Sequence, residues 1–268
     1  MDVSLLTAPI LAYPGGEYDG AMPVLAPGVD PITALGLMAL SFVTSLITAT
    51  FSLGGGSLMI SAMALVLPPM VVVPVHGCVQ LGSNVGRAWV QRLHIQWPYI
   101  LWISLGALVG SVVGGRLAFV LPEKWFTLAI GAFVLLTTWL PTPRALTQGR
   151  MSQFVGGTIV SAVGMVVGAA GPLLAAFVRG IPDRRQLVAT HAMLNSLQHA
   201  IKVVVFAALG FAFRDYLPLI LLMVAAGFVG TTVGSRLLTR VPERVFRLTF
   251  RLLLSAVALG LIREAIFR

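Results

Sequence analysis

The sequence predicts an all-α polytopic membrane protein made of two homologous repeats of about four transmembrane helices. Each repeat carries a glycine-rich helix break and a short half-helix. Three observations lead there. Hydrophobic residues make up 57% of the 268-residue chain and charged residues only 10%, with a mean hydropathy of +0.94, far from a soluble globular average. Eight long apolar segments, at about 31–53, 71–91, 95–121, 125–140, 151–170, 186–213, 215–239 and 244–263, approach or exceed the roughly 20 residues needed to cross the hydrocarbon core. The first four also resemble the last four in order and spacing.

Residues 1–30 form an N-terminal extension. It holds Asp2, Glu17, Asp19 and Asp30 and no Lys or Arg, which favours the non-cytoplasmic side. It lacks the basic start of a signal peptide and is interrupted by Pro and Gly, so it reads as retained. The first repeat spans 31–140. Its opening helix ends at Gly54-Gly55-Gly56-Ser57, and a shorter piece, 57–67, is closed by Pro68-Pro69. A linker containing Pro, Thr and Arg occupies 141–150, and the second repeat spans 151–264. There Gly171-Pro172 precedes the counterpart short piece, 173–178. Such pieces are too brief to span, and at membrane depth they are tolerated only where protein or water meets the backbone.

The repeat extends further. Gly56 to His76 is 20 residues, as is Gly171 to His191. Gly110-Ser-Val-Val-Gly114-Gly-Arg116-Leu117, followed by Pro122-Glu123-Lys124, matches Gly230-Thr-Thr-Val-Gly234-Ser-Arg236-Leu237, followed by Pro242-Glu243-Arg244. The offset grows from 115 residues at the histidines to 120 at these glycines, which places an insertion of about five residues near Phe211 to Asp215. Gly106, Gly110 and Gly114, with Gly230 and Gly234, form small-residue stripes that close helix packing explains fully. The basic C-terminal end favours the cytoplasm. Termini on opposite sides require an odd number of crossings, whereas eight segments are long enough, so orientation stays open.

Each repeat places one polar stripe inside apolar sequence: His76, Gln80, Asn84 and Arg87 in the first, His191, Asn195, His199 and Lys202 in the second. Both use offsets of 0, +4, +8 and +11, a narrow arc of a helix with 3.6 residues per turn. No Asp or Glu lies in either segment. Two facing stripes of cations, amides and imidazoles without a carboxylate leave room for an anion. Lys202 lies too deep in its segment to snorkel, and a buried cation is costly enough to suggest function; the competing reading is a lysine satisfied by backbone carbonyls. Arg87, nearer its segment end, either grips an oxyanion with two parallel hydrogen bonds or reaches the headgroups. The histidines donate to an oxyanion, carry a coupling proton or act as interhelical hydrogen bonds. Gln80, Asn84, Asn195 and Gln198 complete the lining or hold helices together. The glycine turns, Gly54 to Ser57 and Gly171-Pro172, offer backbone N–H groups at the heads of half-helices or simply allow tight turns. No Gly-Lys-Ser/Thr follows, so neither is a nucleotide loop.

With Gly54-Gly55-Gly56-Ser57, its echo Gly168-Ala-Ala-Gly171-Pro172, the two-half layout and the later Gly-x-x-x-Gly-x-Arg-Leu elements, the chain resembles the TauE/SafE family of anion transporters, the sulfite exporter or TSUP family, over about 31–264. The resemblance implies a secondary transporter, often an exporter, of sulfite, sulfonates and related small organic anions. Ala169 and Ala170 replace glycines in the second motif, which sets the two turns apart.

The net charge of +9 is spread over short loops and reads as headgroup contact and topology signal, not as nucleic-acid binding. Cys78 is the single cysteine, which excludes an intrachain disulfide and a thiolate metal site. An intramembrane hydrolase lacks its acids and bases. A passive anion channel and a haem protein using His76, His191 and His199 remain as alternatives. The expectation is a non-enzymatic transporter of the bacterial inner membrane, without metal or resident cofactor. Its partners are a small anion, the lipid bilayer and, as an open question, further copies of itself, with a proton or ion available for coupling.

Overall fold

The computed structural model describes residues 25–51, 54–140, 149–237 and 243–267. Most of the N-terminal extension and of the 141–150 linker therefore lie outside the described residues. Ten α-helices are present among them, and no strand: α1 Pro31–Phe51, α2 Gly55–Met63, α3 Pro69–Val90, α4 Ile100–Val120, α5 Glu123–Trp139, α6 Arg150–Val167, α7 Gly171–Val178, α8 Arg184–Ala208, α9 Phe213–Leu237 and α10 Glu243–Phe267. The eight long helices coincide with the eight apolar segments, and α2 and α7 with the two short pieces. Four long helices combine length and apolarity enough to cross a membrane on those grounds alone, over Pro31–Ala49, Trp97–Ala118, Arg150–Val167 and Phe213–Gly234. In α3 and α8 the polar stripes lower the hydropathy, and α5 has only 17 residues.

The long helices associate mainly in four pairs: α1 with α9, α4 with α6, α3 with α8, and α5 with α10. Small residues set the first two. A Cβ at Gly106, Gly110 or Gly114 of α4 would run into the backbone of Phe154, Thr158 or Ala162 on α6, and one at Gly157 of α6 into Ile103 of α4. On α9, Gly230 stands against Phe42 of α1, and a Cβ at Gly234 would lie 2.6 Å from the Leu46 carbonyl oxygen. In lipid, helices gain little from apolar burial and associate through such close backbone approach. Leu108, Val112, Leu221, Phe228 and Leu252 are exposed, an apolar outer surface suited to acyl chains. The protein is an integral membrane protein.

The insertion expected near Phe211–Asp215 does not form a longer loop. The α8–α9 connection, 209–212, is shorter than the α3–α4 connection, 91–99, while α8 and α9 have 25 residues each against 22 and 21 for α3 and α4.

Candidate functional site

The stripes of α3 and α8 are brought face to face. Between them lies a cleft of about 430 Å³, its open mouth included, lined by Thr48, Gly54, Gly56, Ser57, His76, Gln80, Asn84, Arg87, Ala169, Gly171, Pro172, His191, Asn195 and His199. Twelve of the fifteen residues expected at a site are on this wall. Gly55, Gln198 and Lys202 are not. Gly55 turns toward α1, where a Cβ would meet Thr48 and the Thr44 backbone. Gln198 lies behind the wall beside Gly164, whose Cβ would come 2.7 Å from Gln198 Nε2. Lys202 is 1% exposed, and its ammonium donates to the Gly168 carbonyl at 2.7 Å. Thr48 and Ala169 join the wall without having been singled out in the sequence. Thr48 is one hydroxyl among several on α1, and Ala169 stands where the sequence motif has a glycine, so neither carries a signal of its own.

Helix geometry explains the assembly. Residues four apart on α3 and α8 stack along one face, so each stripe is continuous, and the α3–α8 pairing turns the two toward each other. Each stripe also reaches a glycine turn. His76 Nε2 lies 3.0 Å from the Gly56 carbonyl oxygen, and His191 Nε2 lies 3.0 Å from that of Gly171. A carbonyl only accepts, so in both rings Nε2 carries a proton and donates; in the neutral form this leaves Nδ1 a bare acceptor. An amide stands beside each ring: Gln80 Nε2 is 3.3 Å from His76 Nε2, and Asn195 Nδ2 is 3.1 Å from His191 Nε2. Asn195 Nδ2 also donates to the His191 carbonyl at 2.8 Å. The rings of His76 and His199 meet edge to face across α3 and α8, with centroids 5.8 Å apart.

The two short helices point their N-termini at this space. Gly54 enters α2 with φ +99° and no side chain caps that helix. Ala170 precedes α7, also without a side-chain cap, and Pro172 occupies its first turn. By contrast, Asp183 caps α8 by accepting from the Gln186 N–H. The leading N–H groups of a helix have no intrahelical acceptor and carry the positive end of its dipole. Pro172 has no N–H, so α2 presents more donors than α7.

Arg87 is half-buried at the cleft. Its guanidinium donates to the Ser83 carbonyl at 3.3 Å, the Ser83 hydroxyl at 3.5 Å and Asn84 Oδ1 at 3.0 Å, fewer than the five N–H groups it owns. No carboxylate among the described residues pairs with Arg87 or Lys202, and none lines the cleft. No group of three or more His, Cys, Asp or Glu among the described residues could hold a metal ion. The arrangement can hold a small anion: one unneutralised guanidinium, uncapped helix heads and neutral imidazole and amide groups converge on one space.

No curated protein and no solved structure matches the chain. The family model described as sulfite exporter TauE/SafE matches residues 37–261, a span that includes every residue lining the cleft, and the chain belongs to the sulfite exporter TauE/SafE family.

Proposed function

We propose that the protein is a secondary transporter that exports small oxyanions, such as sulfite, sulfonates or related organic acids, across the bacterial inner membrane. The anion sits between α3 and α8 at the heads of α2 and α7. The observation that carries this is the convergence of Arg87 and two uncapped helix termini on a cleft without a carboxylate. A cation there would find no carboxylate and would face the Arg87 charge, and a neutral solute would leave the guanidinium without a counter-charge. Arg87 supplies charge and a planar fork for two oxygens, the α2 head supplies backbone donors, and His199 with the Asn84 and Asn195 amides completes the lining.

We read the chain as two repeats, 31–140 and 151–264, with the site between them. Support comes from the pairing of helices. If α1 to α5 correspond to α6 to α10, the α1–α9 contact maps onto α6–α4, while α3–α8 and α5–α10 map onto themselves. The His76–Gly56 and His191–Gly171 contacts map onto each other in the same way. A transport cycle then consists of one repeat rocking on the other around the site, with the buried histidines available for a coupling proton. A haem role is disfavoured, because the Nε2 atoms that would ligate iron in His76 and His191 are committed to carbonyls.

Binding to the purified protein tests the reading. Sulfite, methanesulfonate and acetate are compared with choline, for wild type and Arg87→Gln. Anion-selective binding that falls in the variant supports it; equal binding of choline, or no binding of any anion, rejects it.

A further inference from the structure

Lys202 is the residue the sequence marks most sharply for contact with an anion, yet in the structure it is not among the residues that line the cleft. Its ammonium ends on the carbonyl of Gly168, 2.7 Å away. Gly168 closes α6 with φ +78°, a left-handed conformation natural to glycine. Three residues later α7 begins, so Gly168 is the hinge of the break, and Ala169 and Gly171, on its far side, line the cleft. The hinge is wedged from α2 and α3 as well: a Cβ there would lie 2.5 Å from Ile60 Cδ1 and 3.3 Å from Val73 Cγ2. The lysine stem runs past α3, where a Cβ on Gly77 would stand 3.0 Å from Lys202 Cδ. One side chain of α8 therefore crosses α3 to hold the α6–α7 break.

The chemistry fits a tie better than a ligand. A C-terminal helix carbonyl has no intrahelical donor and carries the negative end of the dipole, where a cation is favourable. Gly168 has no side chain, and the Lys202 ammonium is the donor that meets this carbonyl. A flexible ammonium on a four-carbon stem reaches such a carbonyl as a point charge, whereas a planar guanidinium suits an oxyanion. The two cations of the stripes thus divide their work.

We propose that Lys202 is a positioning residue: its ammonium holds the Gly168 carbonyl, fixes the α6–α7 break and sets the Ala169–Gly171 wall of the cleft, while Arg87 faces the anion. The tie itself stands on geometry alone; its effect on anion affinity rests on the function proposed above.

Hydrogen exchange on the full-length protein in detergent tests the tie independently of any ligand. In Lys202→Met, amides of 165–173 exchange on the order of tenfold faster or more, as expected for loss of a charge-assisted hydrogen bond, with the other helices unchanged. Arg87→Gln leaves 165–173 as in wild type. Gly77→Ala keeps the charge but crowds the stem, and it accelerates the same amides to a smaller degree, which decides the matter should Lys202→Met fail to fold. Unchanged exchange at 165–173 in the variant that folds overturns the proposal. For anion affinity, the probes are methanesulfonate, a monoanion, and sulfite at alkaline pH, a dianion. Lys202→Met weakens both by the same factor, because it displaces a wall, while Arg87→Gln weakens sulfite more. A loss in Lys202→Met that is greater for sulfite makes Lys202 an anion ligand and overturns the positioning role. If wild type binds neither anion, the transport reading fails and exchange alone decides the tie.

Discussion

His76 and His199 meet edge to face at the centre of the helix bundle, with ring centroids 5.8 Å apart. One belongs to α3 and the other to α8, so this contact marks where the two polar stripes cross. Both Nδ1 atoms are buried with no hydrogen-bond partner among the described residues. Unpartnered imidazole nitrogens beside an unneutralised Arg87 place a polar, incompletely satisfied surface inside an apolar protein. Buried polar groups are normally satisfied, and an exception of this kind is where a bound solute or water is expected.

Arg87→Gln should weaken binding of sulfite by about 10- to 100-fold, the value of a hydrogen bond to a charged group at about 1.5–3 kcal/mol. Titration calorimetry reads the affinity, and size-exclusion elution at the wild-type volume shows that the variant is folded. Unaltered affinity would remove Arg87 from the site.

His76→Leu and His191→Leu should each lower stability by about 1–3 kcal/mol, because the carbonyls of Gly56 and Gly171 lose the donors they have in the structure. His76→Gln retains a donor and should recover part of the loss. Thermal unfolding in detergent compares them; equal melting of His76→Leu and wild type would show that the Gly56 contact contributes nothing.

Gly110→Ala should separate α4 from α6, since its methyl group would collide with the Thr158 backbone. A cost of about 1–3 kcal/mol is expected for such overpacking. Gly36→Ala is the control: nothing lies within 4 Å of a Cβ there, and removing a helical glycine should be neutral or stabilise by up to about 1 kcal/mol. If the two variants melt alike, the close approach of α4 and α6 is not what holds them.

Asp183 lies at the exposed head of α8, and its carboxyl is held below the ordinary value of 3.8, chiefly by the hydrogen bond from the Gln186 backbone N–H. A depressed folded-state pKa stabilises above the unfolded value, and that contribution is lost as pH falls through the folded value. The stability difference between wild type and Asp183→Ala should therefore be constant at neutral pH and shrink on the acid side of 3.8. Unfolding followed against pH reads this; a difference that persists at the lowest pH would assign the cap to something other than the carboxylate.

Much of the architecture was legible in the chain because lipid enforces local rules. Each spanning segment must satisfy its own backbone, so apolar runs such as 31–53 and 215–239 announce helices, and a period of 3.6 shows that His76, Gln80, Asn84 and Arg87 share a face. What local rules do not contain is the direction a long side chain takes once helices pack. Lys202 and Arg87 hold the same place in their stripes, and nothing in their spacing separates them. Only the tertiary structure sends Lys202 across Gly77 to the Gly168 carbonyl while leaving Arg87 at the cleft, turns Gly55 toward α1 and brings Thr48 to the wall. Helix identity depends on neighbours in sequence, but a ligand wall depends on which backbones approach closely enough for one side chain to reach past another. That is set by contacts between residues such as Gly168 and Ile60, more than a hundred positions apart.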